Sequence, residues 1–269
     1  MGRNIFMFII LLAFNNGLRA QAWNAMPPFS VIQSFSLKKD IPGTLEVPAA
    51  LAGVKTFSVA AFGQQNYLLS SVRSVSLAAA IPAGRSHFGL LASYFGFSLH
   101  NETLLALAYA RSMGTADIGI RFNVYRVATA GYGNIREVNA EAGACLHFSP
   151  DLTAGLHVAN PFHFSTATEL PSLPFTISAG LGWDASDNFY VGGMILKKAG
   201  MPTDLAAGIQ YGFVKNLFAR AGVSTAIPVF YFGLGYIFGD LKVDLISTLH
   251  PQLGISPGLM LSYFSGGTK

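Results

Sequence analysis

The residues best suited by type and spacing to do chemistry are His147 and Ser149 in "HFS", followed by Asn160. A nucleophilic serine needs a base within hydrogen-bonding reach and a third group to orient that base. Two residues apart on a strand, His147 and Ser149 would share a face, and the chemistry would be ester hydrolysis. Ser149 nevertheless stands directly before Pro150-Asp151, where a serine is ordinary turn chemistry. Asn160 would sit roughly nine strand residues beyond that turn, on the order of 30 Å away at about 3.3 Å each. The spacing therefore argues against an enzyme. The remaining histidines at 87, 100, 157, 163 and 250 are scattered. No Cys/His spacing suggests zinc, no Asp-rich loop suggests calcium, and His157 with His163 makes only two ligands, so neither a metal nor a cofactor is expected. The "GLG" triplets precede no helix start and form no phosphate loop. The single Cys145 has no partner for an internal disulfide.

A second polar set is more informative. Arg121, Asn123, Glu141, His147, Asp184, Gln210, Arg220, Lys242 and Asp244 all fall on one face of alternating segments. Charges buried without partners are costly, so such a set should pair internally, either bracing an interior or lining a passage and seating another part of the chain. Arg121 and Glu141, on neighbouring segments, are placed to pair. Gly233 and Gly235 leave room for something to approach that face.

The elements that carry this set must suit an unusual composition. Of 269 residues, 51% are hydrophobic, 13% aromatic and only 11% charged, against about 25% charged in a typical soluble domain. Mean hydropathy is +0.44. So little charge cannot cover a water-exposed surface, which makes lipid part of the solvent. The start of the chain agrees: Arg3 precedes the apolar run Ile5 to Phe14, and small Ala20 follows. This is the layout of a secretory signal peptide over residues 1–20. Its loss would remove Arg3 and Arg19 and lower the formal charge from +4 to +2. So small a charge, with no basic run between aromatics, excludes a nucleic-acid partner.

Beyond the signal no run reaches the roughly 18 apolar residues of a membrane helix. Period-2 alternation appears instead. Phe175, Ile177, Ala179, Leu181 and Trp183 oppose Thr176, Ser178, Gly180, Gly182 and Asp184, and Phe230 to Phe238 behaves similarly. Such segments predict an all-β, transmembrane antiparallel β-barrel, because closure satisfies every backbone group while lipid meets alternate side chains. Punctuation gives about fourteen strands between residues 53 and 264, the first over 53–63. Residues 21–52 form an N-terminal segment and 265–269 a tail. Joints at 82–84, 112–115, 149–151, 186–187, 214–216 and 239–240 are tight, as periplasmic turns should be. The longest outer joint is expected at 161–172. The last strand must pair with the first, and its aromatics Tyr263 and Phe264 are expected at the membrane boundary.

Several motifs then carry a resemblance. "VPAALAG" at 47–53, "GFSL" at 96–99, "LALAYARSMG", "ISAGLGW", "RAGVST", "FYFGLGY" and the closing "HPQLGISPGLMLSYF" occur in an order that resembles the PorV/PorQ-like, Bacteroidota-type branch of the FadL superfamily of outer-membrane proteins. The likeness runs from about residue 47 to 264. It implies a fourteen-stranded barrel in the outer membrane whose short N-terminal segment enters or caps the lumen. It also implies a non-enzymatic accessory barrel that docks envelope or secretion-system proteins, as in type IX secretion. The alternative it carries is FadL-like transport of small hydrophobic molecules. An outer-membrane lipid hydrolase, built on Ser149, is a third and weaker reading. Outer-membrane lipid is the expected partner under all three.

Overall fold

The computed structural model describes residues 32–36, 41–131, 133–165, 173–226 and 228–266. The signal segment 1–20 lies outside the described residues. Fourteen strands close into one antiparallel barrel in which every strand neighbours the next in sequence and β1 pairs with β14. They are β1 Ser58–Gln65, β2 Arg73–Ala83, β3 Ser86–Phe97, β4 His100–Ser112, β5 Ala116–Thr129, β6 Gly133–His147, β7 Leu152–Ser165, β8 Thr176–Ser186, β9 Phe189–Lys198, β10 Thr203–Val214, β11 Leu217–Ser224, β12 Val229–Phe238, β13 Leu241–His250 and β14 Gly254–Phe264. The closing ladder runs from Ser58↔Phe264 to Gln64↔Gly258. With no free edge, every strand is paired on both sides, which is the condition for sheet in lipid.

Alternation decides the faces. On β5, Ile118, Ile120, Phe122 and Val124 are 44–57% exposed, while Asp117, Arg121 and Asn123 between them are no more than 5% exposed. Apolar side chains therefore form the outside of the wall and polar ones the inside, the reverse of a water-soluble protein. The end carrying Ser58, Phe264 and the tight turns is called the near end, and the opposite one the far end. Trp183, Tyr211, Phe213, Tyr236, Phe238 and Tyr263 are all exposed close to the near end, a girdle of rings that suits a headgroup boundary. Tyr263 and Phe264 part company, since consecutive strand residues point to opposite faces. Tyr263 joins the girdle, whereas Phe264 is half-buried and packs inward against the cluster of Ile41, Leu45 and Leu51.

Two segments depart from the sequence expectation. The first strand begins at Ser58 rather than at residue 53. Pro48–Gly53 is instead a 3-10 turn with proline at its start, following the short helix α1, Ile41–Glu46. Pro48 has no N–H to give a ladder, and Ala49, Ala50 and Leu51 are fully buried inside the barrel. At β7 the strand continues past the expected break at Pro161 to Ser165. Asn160, with φ of 56°, forms a bulge there, and the β6–β7 register jumps between Asn139↔His163 and Glu141↔Ala159.

Candidate functional site in the barrel lumen

The near half of the lumen is filled by the chain's own start. Residues 32–36, α1 and the 3-10 turn lie against inward-facing glycines of the wall. A Cβ at Gly155 or Gly180 would fall 2.2 or 2.1 Å from the Phe35 ring, and one at Gly182 would fall 2.7 Å from its Cβ. Glycine alone leaves the slot that this ring occupies. Gly119 permits a closer approach still, since a Cβ there would lie 2.4 Å from the Pro48 carbonyl carbon and 2.5 Å from the Ala49 nitrogen. Gly89 makes room for Leu45 and Leu51 in the same way. These contacts define a plug, and Phe35 with Val47, Ala49, Ala50 and Cys145 forms a buried apolar cluster within it.

Polar groups of the wall fasten the plug. Tyr190 donates its hydroxyl to the Ile32 carbonyl at 2.6 Å, Ser36 donates to Asp184 at 2.8 Å, and Gln33 donates to Gln210 at 2.8 Å. Arg220 donates to the Gln33 amide oxygen at 3.1 Å and pairs with Asp244 at 2.7 Å. Lys242 stands 3.9 Å from Asp244, and both cations lie over the Phe218 ring, at 5.0 Å for Arg220 and 4.8 Å for Lys242. Across the lumen Arg121 donates to the Leu45 carbonyl and pairs with Glu141 at 2.8 Å. Glu141 also accepts from Asn123 at 2.7 Å and meets His157 at 2.9 Å. The inward set thus separates into two clusters. One comprises Arg121, Asn123 and Glu141; the other comprises Gln210, Arg220, Lys242 and Asp244, with Asp184 bonding the plug between them.

His147 belongs to neither cluster. Its ring nitrogens meet Asp117 at 2.8 Å and Thr153 at 3.1 Å. Ser149 stays in the β6–β7 turn, where its hydroxyl accepts from the Asp151 N–H at 3.3 Å, and Asn160 donates to the Pro174 carbonyl at 3.1 Å. The three residues with hydrolase spacing are not brought together. The space beside Gly233 and Gly235 is taken by the wall itself, since Cβ atoms there would collide with Arg220 and Phe218. Phe35, Gln33, Glu46 and Tyr190 escaped the sequence reading, and His157 entered it only as a metal candidate beside His163. The first three precede the barrel and carry no alternation, while Tyr190 looks like one more aromatic of a lipid-facing strand. The available signal was the inward glycine series 155, 180, 182 and 192, which vacates one continuous patch.

Among the described residues of the plug, Glu46 is the charged one. Burial pushes its carboxyl above the ordinary range, because Arg121, which would lower it, is committed to Glu141 and reaches Glu46 only at 3.9 Å. A carboxyl whose pKa rises on seating favours the seated state while protonated, and that contribution is lost as pH climbs through the raised value. The plug should therefore loosen as pH rises above the ordinary carboxylate range. Thiol labelling of Ser34→Cys in a Cys145→Ala background should increase over that interval, and Glu46→Gln should flatten the dependence. An unchanged slope in Glu46→Gln would show that another group sets it.

No protein-family model matches the chain and no curated relative is similar to it. Solved structures do match. The toluene transporter TodX of P. putida superposes with a TM-score of 0.59 at 10% identity, covering 84% of this chain and 94% of the transporter. A further crystal structure of the same transporter gives 0.59 at 10% identity over 91% and 97%. A Pseudomonas aeruginosa FadL homologue gives 0.56 at 13% identity over 83% and 93%. At such identities the likeness establishes the fold: a closed, fourteen-stranded membrane barrel of the architecture seen in these transporters.

Proposed function

We propose that this chain is an outer-membrane barrel that passes small hydrophobic molecules, with the plug closing the route towards the near, periplasmic end. The observation that carries the reading is the seam between β7 and β8. Their ladder runs from Leu152↔Trp183 to Ala159↔Thr176 and stops, while β7 continues through Asn160–Ser165 beside β6. At this level the outward neighbours are still apolar, with Phe122↔Ala140 and Val124↔Val138. On this reading a hydrophobic solute passes between lumen and hydrocarbon where that ladder ends, by parting the Asn160–Pro174 contact that bridges the seam. The likeness to a toluene transporter and a FadL homologue supports the same reading. On it, the polar residues 121, 123, 141, 184, 210, 220, 242 and 244 seat the plug and brace the wall. Residues 1–20 act as an export signal. The docking role in secretion draws on no feature of the described residues, whose far-end connections, such as Ser98–Leu99 and Pro251–Leu253, are short.

Cells producing the chain should take up a monoaromatic hydrocarbon faster than cells lacking it. Ser36 and Asp184, already bonded, supply a lock: S36C/D184C in a Cys145→Ala background should stop uptake when oxidised and restore it on reduction. Equal uptake with and without the barrel would refute transport. Undiminished uptake through the oxidised pair would refute the plug as its gate.

A further inference from the structure

The lumen face of β5 to β7 holds oxygens that neither the plug nor the wall uses. Glu137 is 4% exposed and Asn123 is 2% exposed, and both face inward. Glu137 accepts through Oε2 from the Leu173 N–H at 3.1 Å, while its buried Oε1 meets no donor among the described residues. The Asn123 amide nitrogen is fixed by two acceptors, Asn139 Oδ1 at 2.6 Å and Glu141 Oε1 at 2.7 Å. Its oxygen therefore occupies the opposite edge of the amide, where it too is buried without a donor. Asn160, in the bulge of β7, donates Nδ2 to the Pro174 carbonyl at 3.1 Å, and its Oδ1 repeats the pattern. Every leftover group is an acceptor.

Register and bonding bring the three together. Asn123 pairs with Asn139 and Tyr125 with Glu137. Asn123 and Glu137 are thus diagonal neighbours on the inner face, with Cβ atoms about 7 Å apart. Glu137 and Asn160 hold consecutive residues of one segment, Leu173 and Pro174. Tyr125, opposite Glu137, is not the missing donor, because its hydroxyl goes to Glu102. Arg121 and His157, the nearby basic groups, are both committed to Glu141. Glu137 therefore retains a charge and an oxygen that burial makes costly to leave unmatched.

Three acceptors and one negative charge match a primary ammonium, which offers three N–H donors, one positive charge and no acceptor. Calcium fits less well, since it takes about six to eight oxygens. We propose that Glu137, Asn123 and Asn160 bind the head of a hydrophobic primary amine. Leu104 and Tyr125 continue the inward row from Glu137 and offer its apolar part a surface. Asn160 also bridges the seam, so the amine sits where the proposed route leaves the lumen. Its standing as cargo rests on the transport reading; its binding does not.

The full-length barrel in a neutral detergent is titrated calorimetrically at neutral pH with phenethylamine, phenethyl alcohol and trimethylphenethylammonium. The primary amine should bind roughly 10–100-fold more tightly than the other two, since the alcohol lacks the charge and the quaternary ion lacks N–H donors. Glu137→Gln keeps the shape, removes the charge and should weaken amine binding by a similar factor. Glu102→Gln, whose carboxylate already serves Tyr125 and His100, should leave it unchanged. Heat-modified gel migration confirms that each variant is folded. Equal affinity in E137Q, or for the quaternary ion, overturns the site. An equal loss in E102Q would assign the effect to the net charge of the wall and also overturns it. Displacement of the amine by micromolar calcium would make this a metal site instead. Hydrocarbon uptake separates the two readings: cells producing E137Q should match wild type, and a barrel that binds the amine yet admits no hydrocarbon keeps the site while refuting transport.

Discussion

Phe35→Ala should unseat the plug. The ring lies in a slot made by Gly155, Gly180 and Gly182 and is 2% exposed. Removing a buried phenylalanine costs about 3–5 kcal/mol when the site cannot collapse. Here the slot walls are backbone of paired strands, so collapse is not available. At about 1.4 kcal/mol per factor of ten, the seated-to-unseated ratio should fall on the order of 10²–10³-fold. In planar bilayers the variant should show frequent open events where the wild type is mostly closed, and cells producing it should become sensitive to bulky polar antibiotics. Gly180→Val should reproduce the effect from the other side, because its Cβ would fall 2.1 Å from the ring. If F35A stays as closed as the wild type, the polar contacts from Tyr190, Asp184 and Gln210 hold the plug unaided.

The second large effect is expected at Arg220. The guanidinium is 5% exposed and Asp244 is fully buried, and they meet at 2.7 Å. Removing one member of such a pair leaves an uncompensated charge and costs about 3–5 kcal/mol, more than the pair itself contributes. Lys242, which lies over the Phe218 ring and meets Asp244 only at 3.9 Å, compensates the carboxylate in part. Arg220→Met should therefore lower the denaturant midpoint of unfolding from lipid vesicles, followed by tryptophan fluorescence. R220M/D244L should recover part of the loss, since the buried carboxylate leaves with the guanidinium and only the longer Lys242 contact is given up. A double variant as weak as R220M would show that Arg220 acts through Gln33 and the plug instead.

How far such features could be read from the chain follows from periodicity. Alternation across Phe175–Asp184 or Phe230–Phe238 is strong because lipid imposes apolar side chains at every second position, and it locates strands without reference to partners. The same rule placed Arg121, Glu141, Arg220 and Asp244 on the inward face. The plug obeys no such rule. "QSFS" at 33–36 and "IPGTLEVPAALAG" at 41–53 are selected by the shape of a cavity formed by residues far along the chain, with Ser36 meeting Asp184 and Gln33 meeting Gln210. Val54 to Phe57 continue the alternation weakly, which is why the first strand looked longer than it is. His147 illustrates the limit for sites: its spacing to Ser149 is legible, but its actual partner Asp117 is thirty residues upstream and becomes visible only through the β5–β6 register.

The plug is tied to β1 by Val54–Phe57 alone. A stretch that short reaches about 14 Å at most when fully extended, at roughly 3.3–3.6 Å per residue. The 3-10 turn cannot diffuse away once dislodged; it swings on a leash beneath the pore mouth, where its effective concentration stays near the millimolar range of short tethers. Recapture is then a local event whose rate is independent of how many barrels the membrane holds. Leaks should come as brief, self-terminating bursts, and a free peptide spanning residues 32–54 should compete poorly with the tethered copy.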